Sequence, residues 1–447
     1  MRPAGRIQTA IEVLGAIYAT PKPADAVMSS YFRSRRYIGS KDRADVAAQV
    51  YAALRHHERI GWWLKRVGLS EDARNSVLCW AMLDGLSHDE LERLCSGGQY
   101  APPELSNDER DKFKKLEGRS IEHPEMPVSV RLECPPWAEQ QLRDHFGDAF
   151  EAEMRAMQQS AAVDVRVNAL KASREIAMET LAAEGIKTAP TKHSPLGLRV
   201  EGRPNLAASK AYKEGLIEIQ DEGSQLVAQL MDAKPGEQVV DFCAGAGGKT
   251  LAIAAQMANK GRIIACDVMA GRLERAQERF RRAGVHNIET RVLTSERDPW
   301  VKRHKASFDR VLVDAPCTGT GTWRRNPDAR WFLSPTDLSE LVAKQARILD
   351  SASRLVRPGG RLVYATCSLL PDEDESQVEA FLARHPGFRR VPLAEAWREA
   401  IGGAPPVEGD DLVLTPRGEG TDGFFVSVLE RVGPAEEAVG EAASAGA

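Results

Sequence analysis

Two cysteines carry the chemical interest of this sequence. Cys367 lies in Arg361-Leu-Val-Tyr-Ala-Thr-Cys-Ser368, a short β-rich run that ends on a thiol flanked by hydroxyls. Cys317 closes Asp314-Ala-Pro-Cys317, where Pro316 lacks a donor and directs the chain out of a sheet. Ligands of open α/β sheets gather at the carboxyl ends of the strands, so both thiols are expected at that edge, on neighbouring strands. A buried cysteine is usually inert packing, but two at adjacent strand ends beside Asp314 weigh against that. Such a set suits methylation at carbon 5 of a pyrimidine. That carbon attacks an electrophilic methyl only after a thiolate has added at carbon 6. A second group must then take the carbon-5 proton, and Asp314 can hold the ring edge where charge develops.

A methyl donor needs its own site, and Asp241-Phe-Cys-Ala-Gly-Ala-Gly-Gly-Lys-Thr250 offers one. The stretch follows a predicted strand and opens a predicted helix, so it presents backbone N–H groups to a ligand. A P-loop would need glycine where Cys243 stands, and a dinucleotide fingerprint would need glycine at Thr250. Both spacings fail. A glycine-rich turn followed by an acid, Asp267, at the end of the next strand suits a nucleoside without a pyrophosphate. S-adenosylmethionine is the common ligand of that kind.

Several elements must position these groups. From about residue 222 strands and helices alternate regularly. Strands are expected at Gln238–Phe242, Arg262–Asp267, Ile288–Val292, Arg310–Asp314 and Arg361–Thr366, with helices at Ala270–Ala283 and Thr336–Val356. That alternation predicts a doubly wound parallel sheet, followed by strands at Asp411–Leu414 and Gly423–Glu430. Residues 126–221 read as a small α/β unit, with strands at Val163–Val167, Gly197–Val200 and Leu216–Ile219. Residues 1–125 read as all-helical, with capping boxes at Ser87–Glu90 and Ser106–Glu109 and a helix stop at Gly97. Residues 433–447 are rich in Ala, Gly and Glu and are expected to be disordered.

The 447 residues carry a formal net charge of −4, so any nucleic-acid contact must come from local patches. Seven widely spaced cysteines with no C-x-x-C pair suggest neither a disulfide framework nor a metal site. The chain shows no secretory leader and no apolar run of membrane-spanning length. A cytoplasmic protein without membrane or metal is expected, with a monomer as the default.

The motifs together resemble the RsmB/Sun (Fmu) group of RNA (cytosine-5)-methyltransferases, within the NOL1/NOP2/Sun superfamily. The likeness rests on Asp241–Thr250, Asp267, Asp314–Cys317, Thr366-Cys367-Ser368 and Asp422-Gly-Phe-Phe425. It rests also on Arg166-Val-Asn168, Gln220-Asp-Glu-Gly-Ser224 and Arg324-Arg-Asn-Pro-Asp-Ala-Arg-Trp331. This resemblance implies a class I, Rossmann-like methyltransferase domain over 222–432. An RRM-like domain (126–221) and an all-helical, NusB-like RNA-binding domain (1–125) would precede it. It implies Cys367 as nucleophile, Cys317 as the group assisting product release, and Asp314 beside them. S-adenosylmethionine would be held by Cys243, Ala244, Gly245, Ala246, Gly247, Gly248, Lys249, Asp267, Arg272 and Asp314. Where the family has an adenine-side aspartate, ungapped counting gives Ser295, with Glu296 next to it.

The implied substrate is RNA: small-subunit ribosomal RNA first, transfer RNA second. Arg324, Arg325 and Arg330, interleaved with Trp323 and Trp331, are expected RNA contacts, together with Arg166 and Asn168. The basic helix face of Arg272, Arg275, Arg279 and Arg282 serves RNA or merely solvent. The acidic run Asp372–Glu375 would repel phosphate and is expected to start a helix or order the site wall. Two other readings compete with the methyltransferase. A nicotinamide oxidoreductase is opposed by the absent third glycine. A non-catalytic RNA-binding factor is opposed by the presence of both cysteines.

Overall fold

A computed structural model describes residues 1–432, so the expectation for 433–447 lies outside the described residues. The chain divides into two compact units, one of Met1–Gln159 with Trp323–Ser334, the other of Ser160–Thr322 with the chain from Pro335 onward.

The first unit is helical. Pro3–Tyr18, Ser40–Arg55, His57–Val67 and Ala73–Leu83 pack through Ala10, Leu14, Ile17, Val50, Leu54, Leu64 and Leu78, all wholly or almost wholly buried. These positions recur at helical spacing, so one stripe of each helix enters the core. Both expected capping boxes form. The helix between them is shorter than expected: it spans His88–Leu94 and stops at Cys95, before Gly97. The chain re-enters this unit at Trp323–Ser334. There Arg330 is wholly buried, donating to the carbonyls of Glu133 (3.1 Å) and Met157 (2.8 Å), with its guanidinium 5.0 Å from the Trp323 ring centre. Burial lowers its pKa to about 10, against the pull of Glu133.

The second unit holds two sheets. The smaller has β1 (Val163–Val167), β2 (Thr188–Pro190), β3 (Gly197–Val200) and β4 (Ile217–Ile219), antiparallel in the order β2-β3-β1-β4. Strand β2 escaped sequence reading because three residues ending in proline give no period.

The larger sheet holds β5 (Gln238–Asp241), β6 (Arg262–Asp267), β7 (Ile288–Val292), β8 (Phe308–Asp314), β9 (Val356–Thr366), β10 (Phe388–Arg390), β11 (Leu412–Leu414) and β12 (Phe424–Arg431). Its order is β10-β12-β9-β8-β5-β6-β7, with β11 paired to β12. β5 to β9 are parallel, as the alternation predicts. The sheet as a whole is mixed: beyond this parallel run, β12, one of the two further strands expected, runs antiparallel to β9, β10 and β11. The loop 415–423 contains no crossover helix, and two strands joined without one pair antiparallel. Val311, Val313, Leu362 and Tyr364 fill the core on one face, Leu312, Val363 and Ala365 that on the other. Burial on both faces makes these strands continuous apolar runs rather than alternating ones.

Replacing Arg330 by alanine leaves two buried carbonyls without their donor. Arg330→Ala is expected to destabilise the helical unit by about 2–6 kcal/mol, since each buried acceptor left without its donor costs roughly 1–3 kcal/mol. Urea unfolding followed by the helical circular-dichroism signal checks it.

Candidate active site

The carboxyl ends of β5, β6, β8 and β9 border a cleft of about 630 Å³, lined among others by Lys249, Asp267, Arg272, Asp314, Cys317 and Cys367. The glycine loop 243–248 forms its floor. Gly247 has φ +78°, and a Cβ there would stand 2.5 Å from the Phe280 ring, so the turn admits no side chain. Asp267 ties the loop to β6: its two carboxylate oxygens accept from the amides of Gly245 (2.9 Å) and Met269 (2.7 Å). A carboxylate has about four lone-pair sites, so Asp267 retains acceptor capacity on the cleft side.

Two arginines brace the same loop from outside. Arg166 of β1 donates to Gly248 O at 2.9 Å and to Gln220, and Arg279 donates to Ala246 O at 2.7 Å. Glu218 of β4 accepts from Arg279 and Arg282. Lys249 reaches Asp314 at 2.7 Å and lies 5.4 Å from the Phe424 ring centre. Burial lowers the Lys249 pKa, but the Asp314 carboxylate, with a further contribution from Cys367, overcomes it and leaves the ammonium above its ordinary value. Behind the loop, burial pushes the Asp241 carboxyl up to about 7, partly countered by the Thr250 hydroxyl at 2.7 Å.

The two thiols meet. Cys317 Sγ and Cys367 Sγ are 3.5 Å apart. The hydrogen bond to Cys367, then burial, pushes Cys317 well above the usual thiol range. Cys317 is therefore held as a thiol at neutral pH.

Cys243, Ala244, Gly245, Ala246, Gly248, Lys249, Asp267, Arg272 and Asp314 all line the cleft, whereas Gly247 shapes the turn beneath it. Ser295 does not line it. Glu296 lines it and is ion-paired to Arg347 at 2.9 Å. The expected RNA contacts separate in a different way. Arg166 is buried as a loop brace, and Asn168 is buried, donating to Gly215 O and Ala283 O. Arg324 and Arg330 are buried within the helical unit, and Arg325 is half-buried there. None of these four buried groups faces solvent, so alternating arginine and tryptophan marks a packed segment rather than an open basic patch. Gln220, Ser224 and Phe424 line the cleft without having been singled out. Their signal was present, since each lies in a motif that carried the family resemblance.

A nucleoside-sized cleft beside a glycine turn, at the strand ends of a Rossmann-like sheet, defines an S-adenosylmethionine-dependent methyltransferase. Residues 228–430 match the family model "16S rRNA methyltransferase RsmB/F", and residues 134–207 match the RsmF/B-like ferredoxin-like domain. A Synechocystis protein named probable ribosomal RNA small subunit methyltransferase B is 33% identical over 320 residues, 70% of this chain and 71% of its own. Ribosomal RNA small subunit methyltransferase B of Proteus mirabilis is 33% identical over 363 residues, 78% of this chain and 85% of that one. The crystal structure of the protein PH0851 superposes with a TM-score of 0.80 at 28% identity, covering 96% of this chain and 99% of that one. The chain belongs to the RsmB/F methyltransferase family.

S-adenosylmethionine is the cofactor, and the donor set suits it. The free acceptor sites of Asp267 match the ribose diol, and the amides opening helix Gly248–Gln256 match a carboxylate tail. Asp267→Ala is expected to weaken S-adenosylmethionine binding by about 10- to 100-fold, the equivalent of one charge-assisted hydrogen bond, as read by isothermal titration calorimetry. A raised carboxyl also has a pH signature. The folded pKa of Asp241 lies above its unfolded value, so its contribution to stability is complete at acid pH and is lost as pH rises through about 7. Differential scanning fluorimetry of Asp241→Asn against the parent should show the variant without that component of the decline.

Proposed function

We propose that this protein forms 5-methylcytosine in small-subunit ribosomal RNA through a covalent cysteine–cytosine adduct. The observation that carries the reading is the 3.5 Å approach of Cys317 and Cys367 beside Asp314. The ribosomal substrate is supported by the names of the relatives. S-adenosylmethionine, when bound, supplies an electrophilic methyl group.

Cys367 adds through sulfur to carbon 6 of the cytosine, the electron pair of the 5,6 double bond moves into the ring, and the thiol proton passes to nitrogen 3. The Asp314 carboxylate, held by Lys249, accepts a hydrogen bond from that N–H, and the nitrogen-3 proton goes to water as the product leaves. Carbon 5, now nucleophilic, takes the methyl group and still carries its own proton. Cys317 passes its thiol proton to the departing Cys367 sulfur, and the resulting thiolate removes the carbon-5 proton. The double bond reforms, the carbon–sulfur bond breaks, and both cysteines return as thiols. The cytosine has to leave any stack or pair to reach two thiols inside a cleft.

Cys367→Ala is expected to abolish both methylation and covalent attachment to RNA. Cys317→Ala should instead accumulate a protein–RNA adduct that survives a denaturing gel, because release stalls. An adduct formed by Cys367→Ala would reverse the two roles. Bisulfite sequencing of ribosomal and transfer RNA from cells lacking the gene identifies the target, and an unchanged small-subunit RNA would sink the ribosomal assignment.

A further inference from the structure

Both thiols stand beyond the ends of their strands, so β-sheet hydrogen bonds alone do not fix the gap between them. Glu373 lies directly behind them, 0 % exposed, in the short turn Pro371–Glu373. Its Oε1 accepts from the Thr318 amide (2.9 Å) and from Gln345 Nε2 (2.9 Å). Its Oε2 accepts from the Thr318 hydroxyl and from the Ser368 hydroxyl (2.5 Å). Thr318 directly follows Cys317, and Ser368 directly follows Cys367. The Gln345 amide also donates to Pro316 O at 3.0 Å, on the other side of Cys317. The Tyr364 hydroxyl donates to Glu373 O at 2.7 Å and anchors the turn to β9.

We propose that Glu373 is a positioning residue: one buried carboxylate fastens the Cys317 and Cys367 loops to each other and sets their sulfur separation. Four donors converge on it from both loops and from helix Pro335–Ser353. An apolar side chain of similar size would take away the acceptor that all four share. Glutamine is tolerable by contrast, because the two hydroxyls can turn and accept from its amide. The importance of this tie to turnover rests on the cysteine roles proposed above. Its control of the sulfur distance does not.

The test reads distance and turnover separately. Diamide oxidises a close pair of thiols to a disulfide, taking up their two protons and two electrons to become a hydrazine, and peptide mass mapping follows the Cys317–Cys367 link. In Glu373→Leu we expect the linking rate to fall on the order of 10-fold. The methylation kcat should fall on the order of 100-fold, as for a misplacement of about 1 Å, with the KM for S-adenosylmethionine unchanged. Glu373→Gln should restore most of both rates. A merely structural residue would lower the melting temperature and leave both rates per folded molecule intact, which would overturn the proposal. Slowed linking with an unchanged kcat would keep the tie and overturn the cysteine roles. If Glu373→Leu does not fold, Ser368→Ala removes one donor on the Cys367 side without touching the carboxylate. Unchanged linking and kcat in that variant would overturn the proposal equally.

Discussion

Backbone hydrogen bonds join β8 and β9 in parallel register, Val311 against Leu362 and Asp314 against Ala365. Two adjacent parallel strands end at the same edge of a sheet, so the loops that leave them emerge side by side. The cysteines need only short excursions, three residues past Asp314 and one past Thr366, to face one another. Apolar cores on both faces of the sheet hold that register, because a slip by one residue would move every side chain into the core packed on the opposite face. The methyl-accepting half of the cleft is in this sense a property of strand pairing.

The methyl-donating half depends on a different kind of support. Its loop is short of side chains of its own, and its carbonyls are held from the smaller sheet by Arg166 and from helix Ala270–Ala283 by Arg279. The Arg166 guanidinium carries the cost of burial in order to fix a backbone group. Burial lowers the Arg166 pKa to about 10. The nearby acids Asp241, Asp267 and Asp314 would repel one another in a low-dielectric site, and the Lys249 ammonium, kept charged by Asp314, offsets part of that.

Much of this was legible in the chain. Ala270–Ala283 and Arg262–Asp267 form over the very residues their patterns mark, because each combines a clear period with a turn signal at its end. The glycine loop and both cysteines were legible because their chemistry restricts residue type. What failed or stayed open did so for physical reasons. The direction of β12 stayed open, because it depends on a long-range choice of neighbour that local alternation cannot encode. Arg324 and Arg330 carry the composition of an RNA contact, yet lie buried in a helical unit whose other residues come from a distant stretch of sequence. A charged side chain reads as exposed until its buried partners are known, and the carbonyls of Glu133 and Met157 leave no mark on composition.

The re-entrant segment Trp323–Ser334 bears on how the protein is made. A ribosome delivers the chain from its amino end, and domains tend to fold as they emerge. Here the helical unit lacks Arg330 and Trp331 until β5 to β8, half the strands of the larger sheet, have been synthesised, and Leu54 O waits for the Trp331 indole donor across 277 positions. The helical unit is thus begun before the catalytic one yet stays incomplete until Ser334 has been made. Its completion is tied to the same stretch of synthesis that delivers the Cys317 loop.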